Sequence, residues 1–135
     1  MSDSKNGLET IGCCCVLRCG QAQVAIRQDV AEDFSQLEQR HRDRFHRIME
    51  LWCEGKSLTP EMMNRNEGRS KGNQRVEAFK AFKVRLYGFE ITFKNIRTFF
   101  IVIIDSAKKQ KKADKNILKT AKSRADELSG DIDND

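Results

Sequence analysis

The apolar positions divide the chain into segments of different period. Ala22–Arg27 alternates, placing Ala22, Val24 and Ile26 on one face, and reads as a strand. From there Val30, Phe34, Leu37, His41, Phe45, Ile48 and Trp52 recur at steps of three or four. That is one stripe on a long helix, or on two helices bent near Arg40 to Asp43. Asp29 with Glu32 three residues on has the form of a capping box, and Gly55 supplies a C-terminal stop. Residues 56–75 are polar and predict a long loop. Alternation returns over residues 79–89, with Phe82, Val84 and Leu86 on one face and Lys83, Arg85 and Tyr87 on the other. Gly88 marks a turn or bulge, Ile91 and Phe93 continue the pattern, and Asn95 turns the chain.

Ile96–Asp105 is the most apolar segment, β-branched and aromatic, without Gly or Pro. It reads as a central strand buried on both faces, and it is far shorter than the ~20 residues a membrane helix needs. Asp114 caps a last helix whose stripe is Ile117, Leu118, Ala121, Ala125 and Leu128, and Gly130 ends it. Residues 106–113 are then a basic loop, since lysines at a helix start oppose its dipole.

The order predicts an α+β domain over residues 22–128, with an antiparallel meander and a C-terminal helix. Residues 1–21 form a disordered or loosely ordered segment in which Cys13–Cys19 has the character of a short strand. Residues 129–135 are an acidic disordered tail.

Charge sharpens this picture. The chain has 135 residues, 25 Lys and Arg against 20 Asp and Glu, and a net charge of +5. Residues 108–124 hold eight cations and one acid, and residues 65–97 hold nine cations and three acids. A positive side suits nucleic acid or an acidic partner; the bland alternative is a solvated lysine surface. Five cysteines, three of them consecutive, make no disulfide framework, and no signal peptide is evident, so a reduced cytoplasmic protein is expected. Cys15 and Cys19, with His41, His46 and Cys53 as remote complements, are too loosely spaced for a zinc site, and no cofactor or metal is expected. His41 and His46 are five apart and fall on different sides of a helix, so His41 reads as an interface histidine. Gly68 and Gly72 lack the Gly-Lys-Ser/Thr ending of a phosphate-binding loop.

Strand, helical hairpin, loop, antiparallel strands and C-terminal helix resembles the RelE/ParE toxin superfamily, its phage-encoded, HigB-like branch most of all. The likeness rests on the opening strand and Phe34/Leu37 helix, on Val84-Arg85-Leu86-Tyr87, on Ile96-Arg97-Thr98-Phe99-Phe100 and on the lysine-rich run before the last helix. It implies a RelE/ParE-like fold and the toxin of a toxin–antitoxin pair, a ribosome-associated mRNA endoribonuclease. The ribose 2′-OH would attack the adjacent phosphate, so the site must take a proton and hold phosphorane charge. The resemblance assigns that work to Arg85, Tyr87 and Arg97. It leaves Lys83, Lys94, Lys108, Lys109, Lys111 and Lys112 to hold nucleic acid. The implied partners are mRNA, the ribosome and a cognate antitoxin, with no membrane. Where the HigB-like branch keeps a histidine, this chain has Ile103, Ile104 and Asp105. A non-catalytic module of the same fold therefore stays open: a ParE-like topoisomerase inhibitor, or a phage protein binding nucleic acid or a host factor.

Overall fold

The computed structural model describes residues 7–106 and 115–134. The chain opens with a 3-10 turn, Leu8–Ile11, and a hairpin of β1 (Cys13–Cys19) and β2 (Ala22–Arg27). Helices α1 (Gln28–Ser35) and α2 (Gln39–Cys53) follow. Four consecutive strands come next, β3 (Met63–Arg69), β4 (Arg75–Ala81), β5 (Val84–Phe93) and β6 (Ile96–Asp105), and α3 (Lys115–Asp133) closes the chain.

The six strands make one mixed sheet in the order β1-β2-β6-β5-β4-β3. β4 to β6 form the expected antiparallel meander, and β3 extends it at the edge. β6 then pairs parallel with β2, which requires a long crossover, supplied here by the two helices and the meander. The described residues are thus α+β, with a six-stranded mixed sheet and three α-helices. Among the described residues no helix is long and apolar enough to cross a membrane.

Alternation along the strands fills two separate cores. Val24, Ile26, Leu86, Phe99 and Ile101 pack under α1 and α2, against Val30, Phe45, Ile48, Met49 and Trp52. On the opposite face Ala78, Tyr87, Phe89, Phe100 and Val102 pack under α3, against Ala121, Ala125 and Leu128. β6, with β2 on one side and β5 on the other, feeds both cores, so Phe99, Phe100, Ile101 and Val102 are all fully buried. That explains an apolar run without period two. Gly88 sits at a slip in the β5–β6 register, where a Cβ would lie 2.1 Å from the Phe100 carbonyl oxygen. Only glycine allows the two backbones to approach that closely.

Several boundaries differ from the sequence expectation, each for a local reason. The domain begins before Ala22: β1 pairs with β2 along its length, and Leu8 and Cys13 are fully buried. α1 starts at Gln28 with Arg27 as its cap residue, and Asp29 in the first turn pairs back to Arg27 at 2.9 Å instead of capping. The break between the helices falls at residues 36–38, because Arg42 reaches back to donate to the carbonyls of Ser35 (2.7 Å) and Leu37 and so closes α1. Gly55, at φ +75°, ends α2 as expected: the Gly55 N–H bonds the Trp52 carbonyl and the Lys56 N–H bonds that of Leu51.

The expected 56–75 loop contains β3, an edge strand with little apolar content and a register slip between Asn64 and Gly68. Phe82 and Lys83 are not strand residues. They form the β4–β5 turn with φ of 54° and 67°, as Lys94 and Asn95 do between β5 and β6 with φ of 50° and 69°. α3 continues past Gly130 to Asp133, because Leu128 and Ser129 are buried and Ile132 packs on the same core. Asp114 lies outside the described residues.

Candidate functional site

Arg97 is the residue the family resemblance singled out, and its surroundings are those of a brace. Its guanidinium lies 3.8 Å from the centre of the Trp52 ring and donates to the Trp52 carbonyl at 2.6 Å. A looser contact of 3.7 Å joins it to Glu90, with both side chains about one-third exposed. The carbonyl it holds belongs to the last turn of α2, where a cation complements the negative end of the helix dipole. Arg97 thus ties the end of α2 to the sheet.

Arg85 and Tyr87 face the other way, toward α3. Arg85 pairs with Glu67 of β3 at 2.9 Å, and the Glu67 side chain is only 6% exposed. Tyr87 is fully buried in the α3-side core and its hydroxyl has no hydrogen-bond partner. Burial pushes its phenol pKa up and Glu67 adds to this, while the neighbouring Arg85 guanidinium pulls it back in part. Such a group neither stacks on a base nor accepts a proton near neutral pH.

The three expected catalytic residues do not converge. Arg97 stands opposite Thr92 and Arg85 opposite Asp105. Seven residues of β5 separate those rungs, roughly 23 Å at ~3.3 Å per residue, and the side chains lie on opposite faces. Lys83 and Lys94 occupy the turns at the two ends of β5, Lys94 with its ammonium 5.5 Å from the Phe93 ring. Lys108, Lys109, Lys111 and Lys112 lie outside the described residues.

The β3–β4 hairpin brings a different set together. A cleft of about 500 Å³ on the α2 side of this hairpin is lined by Arg65, Arg69 and Arg75 together with Glu77, Glu90 and Thr92. Glu77 is 4% exposed, with Arg65 3.4 Å from its carboxylate. Burial pushes the Glu77 carboxyl pKa up; Arg65 opposes this, Glu90 adds to it, and Arg75 opposes it again. A second cleft, about 400 Å³, lies between the hairpin and α3 and is lined by Arg69, Lys71, Lys119 and Lys122 with Ser123 and Asp126. Lys115, Lys119 and Lys122 are spaced four and three apart, so they share one side of α3.

The acid in the second cleft is already committed. Asp126 accepts from the Ser70 hydroxyl at 2.6 Å and from the Gly72 N–H at 3.1 Å, pinning the hairpin tip to α3. Arg69 lines both clefts, and its guanidinium donates to the Asn73 carbonyl at 3.1 Å. No family model, curated protein or solved structure matches this chain. The geometry of its own residues therefore carries the reading: cations continue around the hairpin from one face of the sheet to the other. Charge counting over residues 65–97 flagged the segment that lines these clefts, but assigning residues 56–75 to a loop hid the strand that arranges it.

A third feature lies at the far end of β4. Phe82 is 48% exposed, the one large apolar side chain left open among the described residues. Its ring stacks on His41 at 4.5 Å with 17° between planes, and the Arg40 guanidinium lies 5.0 Å from its centre. His41 Nε2 is buried without a hydrogen-bond partner. The other histidine, His46, stands edge-on to Phe34. Among the described residues no group of three His, Cys, Asp or Glu is placed to hold a metal ion.

Proposed function

We propose that this protein is a non-catalytic nucleic-acid-binding module that grips a phosphate backbone with its β3–β4 hairpin and the adjoining side of α3. The observation that carries this reading is Arg69, a cation common to two clefts whose other cationic lining is Arg65 and Arg75 on one side and Lys71, Lys119 and Lys122 on the other. The first cleft is open and polar, and the second is ringed by charged side chains over an apolar floor. That is the character of a surface that tracks a backbone, not of a closed pocket that surrounds a small molecule. Three acids line the same clefts, Glu77 paired with Arg65, Glu90 in contact with Arg97 and Asp126 holding the hairpin tip, and six cations outnumber them.

The separation of Arg85 and Tyr87 from Arg97 favours binding over RNA cleavage. A ribosome-dependent nuclease and its antitoxin rest on the motif resemblance alone.

Fluorescence anisotropy on a labelled oligonucleotide tests the proposal. Affinity should fall steeply with salt, the logarithm of the binding constant dropping by about 0.7 to 0.9 per phosphate contact for each tenfold rise. Arg75→Ala and Lys122→Ala, on opposite faces, should each weaken binding and lower that slope by about one contact. Absence of binding at low salt, or binding indifferent to salt, would sink the assignment.

A further inference from the structure

We propose that the cavity beneath Phe82 receives an unpaired nucleobase, so that the protein distinguishes single-stranded from duplex nucleic acid. The inference rests on the nucleic-acid reading above and adds to it the form of the ligand. The cavity measures about 540 Å³ and is lined by Leu37, Arg40, His41, Phe82, Lys83 and Ser106, among others.

Three independent features mark it as a built site. The first is backbone conformation. Phe82 and Lys83 take positive φ in a two-residue turn, where Asn and Gly are the ordinary occupants. A bulky aromatic residue in the left-handed region is a rare choice, and it leaves the ring half in solvent. The second is the support behind that ring. His41 stacks on it and Arg40 approaches it from the first turn of α2, so the ring is held at a fixed angle although it is exposed. The third is His41 itself, 7% exposed and part of the cavity lining, whose Nε2 is buried without a hydrogen-bond partner.

The lining chemistry selects the occupant. Phe82, Leu37 and Val84 supply the apolar part of the lining. Arg40 and Lys83 at its margin favour a ligand that carries negative charge, and Glu38, 3.5 Å from Arg40, tempers this without cancelling both cations. A planar ring joined to an anionic linker is a nucleotide unit. Stacking of that kind is available only to bases that have left the duplex, and it tolerates any sequence.

Anisotropy titrations of the full chain would use three probes of equal length: a single-stranded oligonucleotide, its duplex, and an abasic phosphodiester strand. Wild type should bind the base-bearing strand about tenfold or more tightly than the abasic one, in line with a single base–aromatic stack. Phe82→Gly should abolish that preference and leave the salt slope unchanged, while Phe82→Trp should keep it. Glycine accepts the turn's backbone without strain, which offsets part of the lost stack on His41, so Phe82→Gly should keep a cooperative urea transition with an unchanged slope, which separates loss of the platform from loss of the fold.

Equal wild-type affinity for base-bearing and abasic strands would overturn the base pocket while leaving the phosphate grip standing. Binding of none of the three probes would remove the grip and the pocket together. A short acidic peptide with one tryptophan that binds wild type and not Phe82→Gly, with no base preference in the oligonucleotides, would reassign the cavity to a protein partner and overturn the proposal.

Discussion

Replacing Arg97 by alanine separates the two roles this residue has been given. If it were a phosphate clamp on an open face, Arg97→Ala would leave stability unchanged and destroy function. The structure gives it three attachments. The 2.6 Å bond to the Trp52 carbonyl is charge-assisted, but that carbonyl also accepts from the Gly55 N–H, so removing the arginine does not orphan it. The loss is therefore near the lower end for such bonds, about 1 to 1.5 kcal/mol. Stacking on Trp52 at 3.8 Å contributes about 1 kcal/mol at this partly exposed site. The 3.7 Å contact with Glu90, solvent-screened, adds about 0 to 0.5 kcal/mol. The three overlap, so the expected cost is about 2 kcal/mol. In urea unfolding, with a slope of roughly 2 kcal/mol/M for a domain of this size, the midpoint should fall by about 1 M with the slope unchanged. Arg97→Lys should recover only part of the loss, since an ammonium cannot lie flat on the indole while donating to the carbonyl. A midpoint shift under about 0.2 M, with nucleic-acid binding lost, would refute this reasoning and restore Arg97 as a functional contact.

Three further outcomes follow from single groups. Glu77→Gln should change the pH profile: a carboxyl raised in the fold stabilises fully below its ordinary value of 4.5 and loses that contribution as pH rises through its folded value, so wild-type stability should decline over that window while the variant's stays flat in urea titrations at pH 4.5 and pH 7. The same variant removes a negative charge from the arginine cleft and should tighten oligonucleotide binding at pH 7. Gly88→Ala should fail to fold at 37 °C, because the new Cβ meets the Phe100 carbonyl oxygen at 2.1 Å and the Phe99 ring at 2.5 Å; a native circular-dichroism melt would contradict the tight crossing of β5 and β6. Tyr87→Phe should be neutral or raise the melting temperature by a few degrees, since it removes a buried hydroxyl that lacks a partner; a clear loss would mean the hydroxyl is bonded.

What could be read from the chain follows from how strongly burial writes into sequence. The β2 alternation, the doubly buried β6, the Asn95 turn, the Gly55 stop and the α3 stripe were legible because each is fixed by side chains that must face a core or by backbone that needs a special conformation. β3 was not, because an edge strand with solvent beyond it can be built from Asn, Arg and Glu without any apolar period. The Phe82-Lys83 turn was not, because Phe82 carries strand propensity, neither residue is a usual turn former, and the turn is imposed by the hairpin around them. The separation of the expected catalytic trio was hidden for a simpler reason. Arg85 and Tyr87 share a face by period two, but nothing in the sequence gives the registers that turn Arg97 toward α2 and set it seven residues along from Arg85.

The cations on β3 have a competing explanation in the geometry of the edge. An exposed outer strand invites pairing with another chain, and charged side chains and bulges are the usual defence. β3 has both, with Arg65 and Arg69 exposed and its register broken between Asn64 and Gly68. Edge protection, however, asks only for charge, of either sign, and only on the edge strand. It does not account for Arg75 on β4, or for Lys119 and Lys122 on α3, which line the same two clefts without guarding any free backbone. The two explanations part under charge reversal. Arg65→Glu with Arg69→Glu keeps the edge charged, so the protein should not self-associate, yet it should release nucleic acid. Lys122→Glu leaves the edge untouched and should weaken binding all the same. Cations recruited from three elements to one continuous surface are what a backbone ligand requires and what a guarded edge does not.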